Sequence, residues 1–343
     1  MSSAARRLMS ASGGGAAIGA IAVAHVSSPY VSAYTWDDGF GAKYSNPSTL
    51  PYSTGTGVSF SPDGSAIAVT DIAYPRVSAY AWSGDGFGAK YSNPSTLPSG
   101  DGFGVAFSPD GSAIAVACED SPFVVAYPWS GSGFGTKYAN PSILPTGKCY
   151  DVAFSPDGSA IAVGISASPY VTVYPWSASG FGTKYANPST LPTQNGYGVA
   201  FSPDGSAIAV SHAFGPRVSA YPWSGSGFGT KFADPSTLPP QGYGVAFSPD
   251  SSAIAVAHAS FPYVTAYPWS GSGFGTKYTN PATSSRYSYR VDFSSDGSAI
   301  ALGHRGSPYV SAYPWSGSGF GAKYSNPSTL PAGSCNDVAF FNP

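Results

Sequence analysis

Short stretches in which bulky apolar side chains alternate with small or polar ones recur along the whole chain, each cut off by glycine, proline, serine or aspartate. Residues 103–145, FGVAFSPDGSAIAVACEDSPFVVAYPWSGSGFGTKYANPSILP, hold four of them. GVAFS is the first, and the Pro-Asp-Gly after it is a turn, because Pro presets φ and Gly tolerates positive φ. SAIAV is the second, the YVSAY-type segment running into Trp the third, and the TKY segment after the glycine-rich GSGFG turn the fourth. A period of two puts Ala on one face of SAIAV and Ile and Val on the other. It likewise sets Tyr34 and Trp36 opposite Val31 and Ala33. The bulky face of one sheet can then pack on the small face of the next. Pro128, Pro175, Pro222, Pro268 and Pro314 precede the Trp in five units. Pro has no N–H to give a ladder, so a bulge or the end of pairing is expected there.

The unit repeats seven times. The Ile of the string AIA recurs at Ile21, Ile67, Ile114, Ile161, Ile208, Ile254 and Ile300, 46 or 47 residues apart, and one Trp follows each of them. Asp337 to Pro343 (DVAFFNP) reads as a first strand with no unit after it, whereas the N-terminal unit begins at its second strand. The two halves complete one sheet. A closed ring satisfies edges that a straight β-solenoid would leave open. The expectation is an all-β, seven-bladed β-propeller of four-stranded antiparallel blades, closed by the C-terminal strand completing the N-terminal blade. It occupies residues 18–343, with residues 1–17 as a flexible or docking arm.

FSPDGSAIAV followed by a strand ending in Trp resembles the WD40 repeat family. That resemblance implies a propeller and, in the family, a protein-binding scaffold. The chain departs from it where the family has Asp after the Trp: Ser stands there in six units and Asp37 in one, and the Gly-His pair before the first strand is missing. The family's side-chain network is therefore not expected. Near-identical repeats and a small-residue N-terminal arm also resemble propeller proteins of tailed-phage virions, which implies a virion location and an arm that docks on other virion proteins.

Composition narrows the chemistry. Charged residues are 9% of the chain and the net charge is −2, so no field gathers phosphates and nucleic acid is not an expected partner. No apolar run reaches the ~18 residues of a membrane span. Arg6, Arg7 and the small residues up to Ala24 imitate a signal peptide, yet AIAVAH at 20–25 returns at 253–258, so the repeat requires this strand. Cys118, Cys149 and Cys335 fall in different units, which argues against a disulfide framework.

Strand direction sorts the turns. In an antiparallel a-b-c-d blade the a-b and c-d turns share one side of the disk, and the b-c turns and d-a crossovers share the other. The first side is nearly uniform, while the second varies from unit to unit, as recognition loops on a rigid scaffold do. On it lie Tyr52, Phe103, Tyr150, Tyr197, Tyr243 and Tyr287 in the crossovers and Tyr74, Phe214 and Phe261 in the b-c turns. The residue before the first-strand Val is Gly in four units but Asp151, Arg290 and Asp337 in the others. These twelve are the candidate ligand-binding residues, the three charged ones most simply read as a solvated rim.

Other conserved-register polar residues have structural readings. His25, His212, His258 and His304 end the second strand in four consecutive units, too far apart for one metal ion, so no metal and no cofactor is expected. Seven Lys on the outermost strand guard an edge. Asp63, Asp110, Asp157, Asp204, Asp250 and Asp296 form turns.

Catalysis needs unlike residues converging from several blades, and no such break in the repeat stands out. The functional expectation is thus a non-catalytic recognition or adhesion propeller of a virion or tail, binding a glycan or protein through its variable face. A structural decoration or spacer protein, and a propeller hydrolase or lactonase-like enzyme, are the alternatives.

Overall fold

The computed structural model describes residues 19–282 and 287–341. The expected arm, residues 1–17, lies outside them. Seven four-stranded antiparallel sheets stand in a ring, each ordered a-b-c-d from the axis outward. Blade 1 takes its strand a from Cys335–Phe341 and its other strands from Gly19–His25, Val31–Trp36 and Phe40–Lys43. Closure by the C-terminal strand is as the repeat required.

Alternation of large and small residues builds the packing between blades. Strand b of blade 2, Ala66–Asp71, and strand c, Val77–Ser83, turn Ala66, Ala68 and Ala79 towards Ile114, Val116, Tyr127 and Trp129 of blade 3. The same small-on-large seam joins blade 7 to blade 1, where Ala299, Ala301 and Ala312 meet Ile21, Val23, Tyr34 and Trp36. Every strand b is buried along its whole length, so each apolar side chain is removed from water on both faces. Each Trp sits among T-shaped aromatic contacts; Trp315, for instance, meets Tyr278, Phe293 and Phe320 at 5.0–5.2 Å.

The prolines before Trp act on one edge only. Pro128 still pairs with Ala113 of strand b, but it faces strand d with no N–H to donate. In the five Pro-containing blades strand d shrinks to a Gly-Phe pair such as Gly133–Phe134. Blades 1 and 2, with Thr35 and Ala81 at that place, keep Phe40–Lys43 and Gly86–Lys90. The TKY segment expected as strand d therefore lies beyond the ladder in most blades. Its Lys is pinned rather than free: Lys137 donates to Asn140 Oδ1 and to the Tyr138 carbonyl, and the other six repeat the Asn or Asp contact.

The histidines brace blades from within. His258 Nε2 lies 2.9 Å from Thr265 Oγ1 on strand c and Nδ1 2.7 Å from the Ser260 carbonyl in the b-c turn. Burial lowers the pKa of all four from 6.5 to about 4. Each a-b Asp closes its own turn, as Asp110 does by accepting from Ser108 Oγ and from the Ser112 amide and hydroxyl.

Candidate active site at the channel mouth

Strand a begins at the channel mouth on the b-c side, and one residue per blade lines the opening there, the second of the strand or, in blade 6, the residue just before it. Those residues are Phe103, Tyr150, Tyr197, Tyr243 and Tyr289 in blades 3 to 7, and Asn336 and Thr56 in blades 1 and 2. Successive ring centres lie 5.8, 4.9, 5.2 and 5.4 Å apart, making a continuous aromatic arc with a polar gap. The arc and gap enclose a cup of ≈ 300 Å³ that Arg290 and Arg305 also line.

One residue further along strand a lies a charged floor. Arg290 of blade 7 stretches along the inner rim, with Nη1 3.2 Å from Asp151 Oδ2 of blade 4 and 3.0 Å from the Tyr197 carbonyl. Its Nη2 donates to the Tyr150 carbonyl at 3.3 Å, and Nε lies 3.8 Å from Asp337 Oδ1 of blade 1. Glycines at the equivalent places leave room for it. A Cβ on Gly198 would come within 3.2 Å of Arg290 Nη1, and one on Gly244 within 3.3 Å of its Cδ. The guanidinium thus anchors two carboxylates and two backbone carbonyls of the arc.

The carboxylates also tie neighbouring blades, Asp151 accepting from the Val199 amide and Asp337 from the Val58 amide. Burial raises the Asp151 pKa against the opposing pull of Arg290. Burial, reinforced by Asp151, raises Asp337 to about 7 despite Arg290. Deeper in the channel Asp292 is pushed by burial to about 6 and accepts from the Phe340 amide. Asp337 is half-buried beneath the cup, with 16% of its side chain accessible. A carboxyl group that changes charge near neutrality beside a fixed guanidinium is equipped for proton transfer.

Cations flank the arc at both ends. Lys148 Nζ lies over Phe103 and Tyr150, at 5.3 and 5.2 Å, and pairs with Glu119 at 3.5 Å. Arg305 of the blade 7 b-c turn lies 5.0 Å over the Tyr289 ring. Among the described residues no group of three His, Cys, Asp or Glu side chains could hold a metal ion.

Of the twelve residues singled out in the sequence, Phe103, Tyr150, Tyr197 and Tyr243 meet in the arc, and Asp151, Arg290 and Asp337 meet beneath it. The solvated-rim reading of those three is corrected, because ring closure turns them into an ion-paired trio inside the channel. Tyr52, Tyr74, Phe214, Phe261 and Tyr287 stand exposed on the same side, outside the cup. Tyr287 was the crossover aromatic by inspection, but Tyr289 fills the place in the arc. Setting SYRVDF under GYGVAF would have found it. Thr56, Asn336, Lys148 and Arg305 carried no comparable signal.

No protein-family model matches the chain, and no curated protein matches it in sequence. In fold it belongs to the seven-bladed β-propellers. It is similar to the periplasmic gluconolactonase PpgL of Pseudomonas aeruginosa, with TM-score 0.73 and 16% identity over 94% of this chain and 99% of that one. It is also similar to a candidate 6-phosphogluconolactonase of Bacteroides fragilis, with TM-score 0.74 and 12% identity over 95% and 98%. A second such candidate, from Bacteroides uniformis, gives 0.73 and 13% over 94% and 99%. These are propellers named as enzymes, not adhesins or tail proteins. The expectation of a non-catalytic adhesion propeller is corrected on that finding, and so is the reading that the chain is no enzyme. The WD40 and virion resemblances reach no further than the propeller itself.

Proposed function

We propose that this chain is a propeller hydrolase that opens a lactone at the channel-mouth cup. The observation that carries the reading is Asp337, a half-buried carboxyl with a pKa of about 7 held beside the Arg290 guanidinium. The names of its structural neighbours agree with it.

A lactone ring stacks its C–H face on the aromatic arc, with Thr56 and Asn336 offering polar contacts in the gap. Ionised Asp337 takes a proton from a water molecule as the water oxygen bonds to the lactone carbonyl carbon. Negative charge gathers on the carbonyl oxygen, and the Arg290 guanidinium stabilises it. Collapse breaks the bond between that carbon and the ring oxygen. Asp337 returns its proton to the departing alkoxide, so lactone and water become a hydroxy acid and the carboxylate is restored.

The test is the opening of gluconolactone followed by acid release above the buffer rate. Wild type should be active, and Asp337→Asn should lose on the order of 100-fold or more while keeping its circular dichroism. A wild-type rate equal to that of buffer alone would sink the reading.

A further inference from the structure

Arg290 stands between two carboxylates and divides itself unequally. Asp337 is on strand a of the adjacent blade, yet its Oδ1 lies 3.8 Å from Nε, at the base of the guanidinium. Asp151 is three blades away and holds the tip, with Oδ2 3.2 Å from Nη1. The carbonyls of Tyr197 and Tyr150 accept from the same end at 3.0 and 3.3 Å. The side chain thus passes its neighbour and runs along the rim beside Gly244 and Gly198.

The far anchor has a seat of its own. Four blades carry Gly at the place of Asp151, and a Cβ on one of these, Gly104, would lie 2.8 Å from Asp151 Oδ1. Asp151 Oδ2 also accepts the Val199 amide at 3.0 Å, which fixes the carboxylate independently of the arginine. Asp337 is fixed likewise by the Val58 and Val338 amides, each at 2.9 Å. Of the other titratable groups on the elements packed around Asp337, Asp292 accepts the Phe293 and Phe340 amides deeper in the channel, His25 and His304 bond to Ser32 and Ser311, Tyr289 lines the arc, and burial keeps the Cys335 thiol protonated. Strand a of blade 2, Gly55–Phe60, has none.

A carboxylate gripped by both N–H groups of an arginine is a poor proton acceptor, because the pair favours its charged form. Held by its tip at Asp151, Arg290 does not offer Asp337 that fork. Burial raises the Asp337 pKa to about 7, and Arg290 offsets the rise only in part. From this we infer that Asp151 is a positioning residue: by anchoring the guanidinium tip across the channel, it keeps Arg290 beside Asp337 without a close two-point pair, leaving Asp337 able to take a proton. Its part in catalysis rests on the hydrolase reading; the control of Asp337 by Asp151 through Arg290 stands without it.

The test reads Asp337 directly. The full chain is labelled isotopically at the aspartate carboxyl carbons, the Asp337 resonance is assigned with Asp337→Asn, and its titration is followed by NMR. In Asp151→Asn the released tip folds back on Asp337, and the midpoint should fall by about one pH unit or more. Asp151→Gly, the residue that four other blades carry there, should do the same and serves if Asn disturbs the Val199 contact. On an Arg290→Met background the shift should shrink to about half or less, since no guanidinium is left to redirect. A midpoint unmoved in both single variants, or a shift of equal size without Arg290, would overturn the inference, the latter because it reports plain repulsion between the carboxylates. Lactone opening is measured alongside, and in Asp151→Asn kcat should fall about tenfold or more with KM little changed, because the arc is untouched. A shifted midpoint with unchanged kcat would remove Asp151 from the reaction. A shifted midpoint in a wild-type chain that opens no lactone would keep the control of Asp337 and defeat the hydrolase reading alone.

Discussion

Arg290 and Asp151 lie 139 positions apart in sequence, yet Nη1 and Oδ2 come within 3.2 Å because the ring brings blades 7 and 4 to one axis. Arg290→Met would leave two half-buried carboxylates without their counter-charge, at a cost of about 3 kcal/mol when both are ionised. At pH 5 protonation of Asp337, whose pKa is raised to about 7, relieves part of that cost, and burial raises Asp151 in the same direction. Urea midpoints should therefore fall further for the variant at pH 8 than at pH 5. An equal loss at both values would show that the trio is not ionic in the way described.

Proton transfer by Asp337 requires its charged form. Lactone opening, corrected for the spontaneous rate, should rise with pH and level off above about 7. Replacing Arg290 removes the cation that favours the carboxylate, so the residual activity of Arg290→Met should have its midpoint displaced to higher pH. A midpoint near 4 in the wild type would exclude Asp337 as the group observed.

The buried histidines set the acid limit of the fold. Each is neutral in the folded state down to about 4, whereas the unfolded chain protonates near 6.5. Stability from keeping it neutral is complete above 6.5 and is lost as pH falls towards 4, by up to ~3 kcal/mol per imidazole. His258→Asn should lower the urea midpoint at pH 7 by loosening the b-c turn, and should also flatten the loss between pH 6.5 and 4.5. Parallel curves for variant and wild type would contradict this.

Blade 2 carries Asp71 where four other blades carry His. Asp71 Oδ2 and Ser78 Oγ are buried with no protein partner, whereas His212 Nε2 meets Ser219 Oγ at 3.1 Å. Asp71→His should restore that bond and remove a buried carboxyl, raising stability by about 1 kcal/mol. Thermal unfolding at pH 7 measures it, and a lower midpoint would show that the surrounding turn has adapted to Asp.

The blade count, the closure and the small-on-large seams were legible because they depend on spacing and alternation within one repeat. Strand d was misplaced because proline acts on only one of its strand's two edges, a distinction no one-dimensional pattern carries. Phe103, Tyr150, Tyr197 and Tyr243 were visible as aromatics but not as an arc. Asp151, Arg290 and Asp337 were visible as exceptions to Gly, yet their meeting depends on the width of the channel and the reach of one arginine. Arg305 stayed hidden inside a segment that differs in every blade, where one more difference carries no weight.

The strand that closes the ring also delivers Asn336 to the lining of the cup and sets Asp337 beneath it, beside Arg290. It follows every other strand of the ring in the chain, so six blades and most of the aromatic wall can be in place while Asp337 is still missing. On the proposed function, chemistry and completeness are tied to one event: a ring whose seam has sprung open loses Asp337 along with its closing ladder, and silence in a lactonase assay reports the breach.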